Sequence, residues 1–516
     1  MAKTAAVLSL IMILAFALRV LPIAAGAQGF APQWWAIDET YMLVPALNVM
    51  SGDLNPHWFG WPAAPLIYQN AGIYYAYFSF GKATGTCSGL ADFYAENEAD
   101  QSGVRILGRL LTLLYAVLTI PVVFLLGKEV YDENIGLLAA LFLAVCPMHA
   151  FYSHLMRPDV PQAFFIALMA LGSLWLIKNR DALLYILTGT ALGIAIATKY
   201  QSAAYVVAPI VAHLCGRGRH WHLAMSLAGA VCAFVLVSPF LLLDYTAAAN
   251  DIAYELAIQR TNALPLQFPM NHIWYVAQFL DKGALAMVIG SFFLIGLLVA
   301  LKSRRKKELL LLLTIAIVIA AIGFQNTRYD RFIIPLLPMA CVFAANGANR
   351  LWLAGKRLKS PALRRTAGLC VLAAIIAGIG LLLLQTAIES QDFFKDDTRM
   401  VAAKWFEQNV PAWTWMAVEE GAALPEYKFE SFRHVRSTYG EEYVTQNYLP
   451  SDMRNNGADF LRARGYQYAV FACDPSELCT EDEWFRNFAD SAVSITAITP
   501  ENHNAAGPAV YIFRLR

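Results

Sequence analysis

Charge is what this sequence has least of. Only 15% of its 516 residues are Asp, Glu, Lys or Arg, against roughly 25% in soluble globular domains. The net charge of +1 supplies no cationic field for a nucleic-acid backbone. Eight cysteines are too few for a disulfide-stapled secreted scaffold, and 58% hydrophobic residues are too many for a disordered chain. The chain also lacks a Gly-rich phosphate loop and a dinucleotide fingerprint, so nothing in it announces a nucleotide pocket.

What the sequence has is long apolar runs, which make it a polytopic α-helical membrane protein. A bilayer crossing takes about 20 helical residues. Eleven runs qualify, near 5–25, 104–127, 135–149, 160–177, 182–198, 202–215, 222–243, 284–301, 308–324, 333–350 and 366–386. Lys3, Lys128, Lys178 with Arg180, Arg217 with Arg219, the Lys302–Lys307 run and Arg350–Arg365 fall on one side. Cations are retained on the cytoplasmic side, so the N-terminus is expected inside and, after about 11 crossings, the C-terminus outside. The first run also reads as a signal peptide, ending in small residues. Arg19 within it argues for a retained helix whose charge is paired by its neighbours.

Two stretches fall outside the bilayer. The first, about 26–103, carries Trp34, Trp35, Trp58, Trp61 and tyrosines from Tyr68 to Tyr77, suited to the headgroup level. Within it, Glu39–Met50 reads as an interfacial helix opened by Asp38. The second, 387–516, holds 20 of the 38 acids but only 12 of the 39 basic residues, the mark of a soluble domain beside the 1–386 membrane module. Helical spacing at 398–409 and strand-like runs at 467–472 and 509–513 make that domain α/β. Cys473 and Cys479 could close a small loop there, bind a metal or remain free thiols.

Candidate chemistry lies at the outer face. Asp38 and Glu39 follow the first span, and Asp159 follows Arg157 and Pro158 at the outer end of another. Acids at membrane depth are costly and usually functional. Arg157, Lys199, Arg260, Arg328 and Arg331 are the cations that break the positive-inside pattern, so each needs another reason to be there.

The chain resembles the GT-C glycosyltransferases that depend on polyprenyl phosphate, the group of protein O-mannosyltransferases and lipid A aminoarabinose transferases. The resemblance rests on Arg19, Asp38-Glu39, Gly52-Asp53-Leu54-Asn55-Pro56-His57-Trp58-Phe59, Gly136 to Pro147 running into Ser153 and Pro158-Asp159, and Thr198-Lys199-Tyr200. It continues through Arg331-Phe332-Ile333-Ile334-Pro335-Leu336-Leu337-Pro338 and Lys404-Trp405-Phe406-Glu407-Gln408-Asn409-Val410-Pro411, in family order.

The resemblance implies an inverting transfer of a sugar from a polyprenyl-phosphate carrier, undecaprenyl phosphate in bacteria, to a hydroxyl acceptor on a protein, lipid or glycan. Asp38 corresponds to the catalytic acid of the first outer loop and Asp159 to that of the second, with Glu39 beside the first. Lys199 and Arg331, with Arg157, Arg260 and Arg328 in reserve, would hold the carrier phosphate. His57, Trp58 and Tyr200 are expected to line the sugar or acceptor. No cofactor is assigned; a divalent metal is left open, with Asp38, Asp159 and His154 as its candidate ligands. The other reading is a transporter or flippase for a lipid-linked or anionic substrate, for which intramembrane charges would mark a path. No inverted repeat is visible, and the charges collect at one face rather than the midplane. A receptor or scaffold would leave Asp38 and Asp159 unexplained. No retention signal ends the chain, which points to a prokaryotic plasma (inner) membrane as its location.

Overall fold

The computed structural model describes residues 2–25, 38–216, 218–261, 269–281, 283, 285–325, 328–411, 414–419, 443–448, 450–473, 479–505 and 507–515. The chain divides into two compact units, one of residues 1–23, 39–93 and 104–390, the other of 24–38, 94–103 and 391–516.

The first unit is helical. Among the described residues, seven helices are long and apolar enough to cross a membrane, and eight if Glu133–Ala144 and Pro147–Ser153, bent by 58°, form one broken span. That is fewer than the eleven expected. Helix Ala182–Thr198 has 17 residues and Val207–Cys215 only nine. Lys306–Gly323 reaches 18 but opens on Lys306, Lys307 and Glu308.

Local chemistry sets the ends. Asp132 caps Glu133–Ala144 by accepting from the Ile135 N–H, and Asp181 caps Ala182–Thr198 through Leu183. The helix read at 39–50 is present as Thr40–Met50, but no side chain caps it. Glu39 stands at its cap position with its carboxylate turned elsewhere. Small residues bring helices together: a methyl on Gly189 or Gly193 would run into the backbone of Ser226 or Ala230 on His220–Val237.

Basic residues gather at one end of this unit. Glu129 takes both Lys178 and Lys307, Lys128 pairs with Glu133 at 2.6 Å, and Lys306 Nζ donates to the Cys215 carbonyl at 2.6 Å.

In the second unit, β1 (Thr414–Glu419), β2 (Tyr443–Tyr448), β3 (Tyr468–Cys473), β4 (Ser494–Ile498) and β5 (Ala509–Arg514) form one sheet in the order β2-β1-β3-β5-β4. β1 runs parallel to β2 and β3, while β5 runs antiparallel to β3 and β4. Helix Thr398–Asn409, capped by Asp397, buries Ala402 and Phe406 beside Val470 and Ile512. Cys473 and Cys479 are joined in a disulfide.

Candidate active site

Asp159 is the centre of the cluster. Pro158 stops the preceding turn and puts Asp159 in the first turn of helix Asp159–Leu176, where the helix dipole favours a negative charge. The side chain is 1% exposed, and two cations reach it: Lys199 Nζ at 2.6 Å and Arg157 Nε at 3.3 Å.

Lys199 arrives by a local break. Helix Ala182–Thr198 ends there because Lys199 is extended (φ −159°), and a 3-10 turn, Tyr200–Val206, follows. Its ammonium also lies 5.0 Å from the Phe332 ring.

Phe332 belongs to a second 3-10 turn, Asp330–Leu336, which brings in the neighbouring charges. Asp330 accepts from the Tyr152 hydroxyl at 3.2 Å and the Arg331 backbone N–H at 2.6 Å. The Arg331 guanidinium sits 4.2 Å from the Tyr329 ring, close enough for its charge to act on Asp159 and Lys199. Arg328 stands nearby in the chain and donates to Asn271 at 2.7 Å.

Glu39 has a different setting. It is fully buried, and Arg109 donates to both of its oxygens, from Nε at 2.8 Å and Nη2 at 3.0 Å. Arg105 approaches to 3.9 Å, one helical turn before Arg109. The same carboxylate accepts from the Met156 backbone N–H at 2.9 Å, three residues before Asp159. Glu39 therefore ties the start of the first loop to the segment that presents Asp159. Asp38 is half-buried in the turn just before it.

The loop from Asp53 to Ala63 is pinned beside Lys199 and Tyr200. Asn55 donates to Asp244 at 2.9 Å, the Phe59 N–H to Asp251 at 2.9 Å, and the Ala63 N–H to the Thr198 carbonyl at 3.3 Å. Tyr200 donates to the Phe59 carbonyl at 3.1 Å. Trp58 stacks on Tyr41 with centroids 5.0 Å apart, and with Phe59, Tyr68, Tyr200 and Ser238 it lines a narrow, nearly filled cleft. His57 is exposed, in the left-handed region (φ +52°), and pairs with Asp53 at 2.6 Å. That hydrogen bond, together with the Asn55 N–H, holds the Asp53 carboxyl below its ordinary range.

Of the residues expected from sequence, Asp159, Lys199, Arg157 and Arg331 come together, with Tyr200 and Trp58 alongside. The Arg260 side chain lies outside the described residues. The suggested metal set of Asp38, Asp159 and His154 does not gather: among the described residues no three His, Cys, Asp or Glu side chains form a group that could hold a metal. His154 is buried at 1% exposure, and Asp159 is already held by cations.

Sequence reasoning missed Arg105, Arg109, Tyr152 and Asp330. Arg105 and Arg109, spaced i, i+4 inside an apolar run, were the available signal. Arg19, expected to find partners on other helices, donates to the Ala144 and Leu143 carbonyls at 2.7 and 3.2 Å and contacts His149 Nδ1 at 3.0 Å, where the broken span bends.

Residues 102–243 match the dolichyl-phosphate-mannose-protein mannosyltransferase family. No curated protein matches the sequence. Among solved structures, the oligosaccharyltransferase AglB of Archaeoglobus fulgidus, in complex with an inhibitory peptide and a dolichol-phosphate, superposes with a TM-score of 0.56 at 13% identity, over 99% of this chain and 74% of that one. ArnT of Cupriavidus metallidurans gives 0.54 in its apo state and 0.53 bound to undecaprenyl phosphate, at 12% identity over 99% of this chain and 98% of ArnT. The Archaeoglobus enzyme has also been solved with zinc and sulfate. The chain has the GT-C fold shared by the polyprenyl-phosphate-dependent glycosyltransferases, the group its motifs resemble.

Proposed function

We propose that the protein is an integral-membrane inverting glycosyltransferase that moves a sugar from a polyprenyl-phosphate carrier to a hydroxyl acceptor on the extracytoplasmic side. The observation that carries this reading is the charge at the Asp159 end. Lys199, Arg157 and Arg331 gather around Asp159 and Asp330. Ionised groups collected at membrane depth are costly and usually serve a ligand. A lipid phosphate is an anion those cations can hold.

The chemistry follows from that placement. Asp38 takes the proton from the acceptor hydroxyl as its oxygen bonds to the anomeric carbon. The bond from that carbon to the phosphate oxygen breaks, and the departing phosphate gathers charge that Lys199 and Arg331 stabilise. Attack from the face opposite the phosphate inverts the sugar. Asp159 orients Lys199 and Arg157 and keeps them compatible with burial before the lipid arrives. The aromatic cleft at Trp58 and Tyr200 gives the sugar or acceptor an amphipathic surface.

A plasma-membrane protein with eleven crossings and an extracytoplasmic 387–516 domain fits this chemistry. The helices too short to span alone would cross with local thinning or tilt of their neighbours.

Two measurements test the reading. Purified protein given radiolabelled polyprenyl-phosphate sugar should transfer label to an added envelope acceptor fraction; label that never leaves the lipid overturns it. Lys199→Ala and Arg331→Ala should each weaken polyprenyl phosphate binding, while Lys306→Ala, at the other end of the unit, binds like the parent. Equal binding by all three variants would move the phosphate site elsewhere.

A further inference from the structure

The end of the membrane unit farthest from Asp159 carries a groove that the proposed reaction does not use. Helices Glu133–Ala144, Leu337–Lys356 and Pro361–Asp392 form its walls. Leu138, Ala348 and Ile375 make an apolar floor, and Asn134, Asn349 and Trp352 supply the polar atoms. The groove is shallow, with about 140 Å³ of enclosed space, so it suits a chain laid along the surface rather than a ligand swallowed whole. Helix Leu337–Lys356 starts beside the Asp330–Leu336 turn, so Trp352 lies about 24 Å along it from the Asp159 cluster at ~1.5 Å per residue.

Several observations describe the occupant. The Pro361–Asp392 wall faces outward, with Leu369 65%, Leu372 46% and Ile376 61% exposed, so the groove opens toward hydrocarbon. The Trp352 ring stands between two helices: a methyl on Gly368 would meet it at 3.2 Å, and Lys356 Nζ lies 5.1 Å from its centroid. An indole with an ammonium over it is suited to headgroup depth.

Charge then sets the sign. From residue 332 to 388 the chain contains no Asp or Glu, yet it carries Arg350, Lys356, Arg357, Lys359, Arg364 and Arg365. Glu129 and Glu133 at this end are taken by Lys178, Lys307 and Lys128. Among the described ion pairs none includes any of those six cations.

We propose that this groove is a binding site for an anionic phospholipid of the leaflet opposite Asp159. One acyl chain lies along Leu138, Ala348 and Ile375. The amides of Asn134 and Asn349 face the glycerol ester region, and the phosphate sits against Lys356 and the connection that follows it. The site is separate from the donor phosphate site, so its test needs no transfer activity.

Delipidated protein is titrated with phosphatidylglycerol and with phosphatidylcholine of the same acyl chains, and bound lipid is read by native mass spectrometry. Phosphatidylglycerol should bind at one saturable site, and phosphatidylcholine clearly more weakly. Replacing two cations in Lys356→Glu/Arg357→Glu should weaken phosphatidylglycerol by at least about tenfold, since each cation near an anionic lipid is worth roughly fivefold. Ile375→Trp, which fills the floor, should weaken both lipids without changing their ratio. Equal affinity for the two lipids, or a charge-reversed variant that binds phosphatidylglycerol like the parent, overturns the proposal. Full displacement by glycerophosphoglycerol, the headgroup without chains, also overturns it, because the floor would then contribute nothing.

Discussion

Glu39 and Asp38 are neighbours in the chain and do different work, and the difference can be measured. Glu39 is enclosed by Arg109 and Arg105, so Glu39→Gln removes the carboxylate that two buried guanidinium groups share. Breaking a buried pair costs about 3–5 kcal/mol. Thermal unfolding of Glu39→Gln should therefore fall well below the parent, with transfer lost because the Met156–Asp159 segment loses its anchor. Asp38→Asn should unfold like the parent and lose transfer by about 10²-fold or more, the usual effect of removing a positioned base. An active Asp38→Asn enzyme would remove Asp38 from the mechanism, and an unchanged melting point for Glu39→Gln would remove the anchor. Sequence reasoning could find Lys199, Arg157 and Arg331 because a cation on the wrong side of a membrane stands out alone. It could not find what they meet, since Tyr152 reaches Asp330 across 178 residues and Arg109 reaches Glu39 across 70. Pairings of that span are made by packing and leave no local spacing to read.

Elements were legible where local chemistry decides them. The apolar runs at 467–472 and 509–513 are β3 and β5, and the helical spacing at 398–409 is helix Thr398–Asn409. The break of a run is harder, because Val145-Cys146-Pro147 is apolar on both sides of its 58° bend. Two predictions belong at this scale. Gly193 lets helix Ala182–Thr198 lie against His220–Val237, and the same helix ends at Lys199. Gly193→Leu should cost about 1–3 kcal/mol by overpacking and should weaken polyprenyl phosphate binding by moving Lys199; unchanged stability would mean the helices can part freely. In the tail, Glu419 on β1 accepts from Arg454 at 2.8 Å and from the Ala472 N–H at 3.0 Å, and it is 1% exposed. Burial pushes its carboxyl above the ordinary range despite Arg454. A raised folded-state value favours the protonated form, so this contribution is present below the unfolded value and lost as pH rises through the folded one. The tail should therefore lose part of its stability on going from about pH 4 upward, and Glu419→Gln should flatten that slope. Trp484 fluorescence can follow it, since Arg454 lies 4.5 Å from that ring; identical slopes in parent and variant would discharge Glu419 from the effect.

At the scale of the whole molecule, the two ends of the membrane unit have opposite characters, and a topology experiment can read them. Lys128, Lys178 and Lys307 meet around Glu129 and Glu133 at one end, whereas Asp159, Lys199 and Arg331 meet at the other. Helix Pro361–Asp392 leaves the basic end, following Lys356, Arg357 and Lys359, and runs back the length of the unit. Near its close, Thr386 donates to the Val145 carbonyl at 3.4 Å, at the bend that precedes Asp159. Thr386 therefore stands beside that bend, within the same unit. Basic ends stay in the cytoplasm, so the tail is expected outside with the reaction. Single cysteines placed at Ala362 and at Asp459 test this in intact spheroplasts with a membrane-impermeant maleimide. Asp459→Cys should label and Ala362→Cys should label only after lysis, each judged against the parent's own cysteines. The reverse pattern would invert the protein in the membrane and put Asp38 and Asp159 on the cytoplasmic face. Labelling of both before lysis would mean that helix Pro361–Asp392 does not cross.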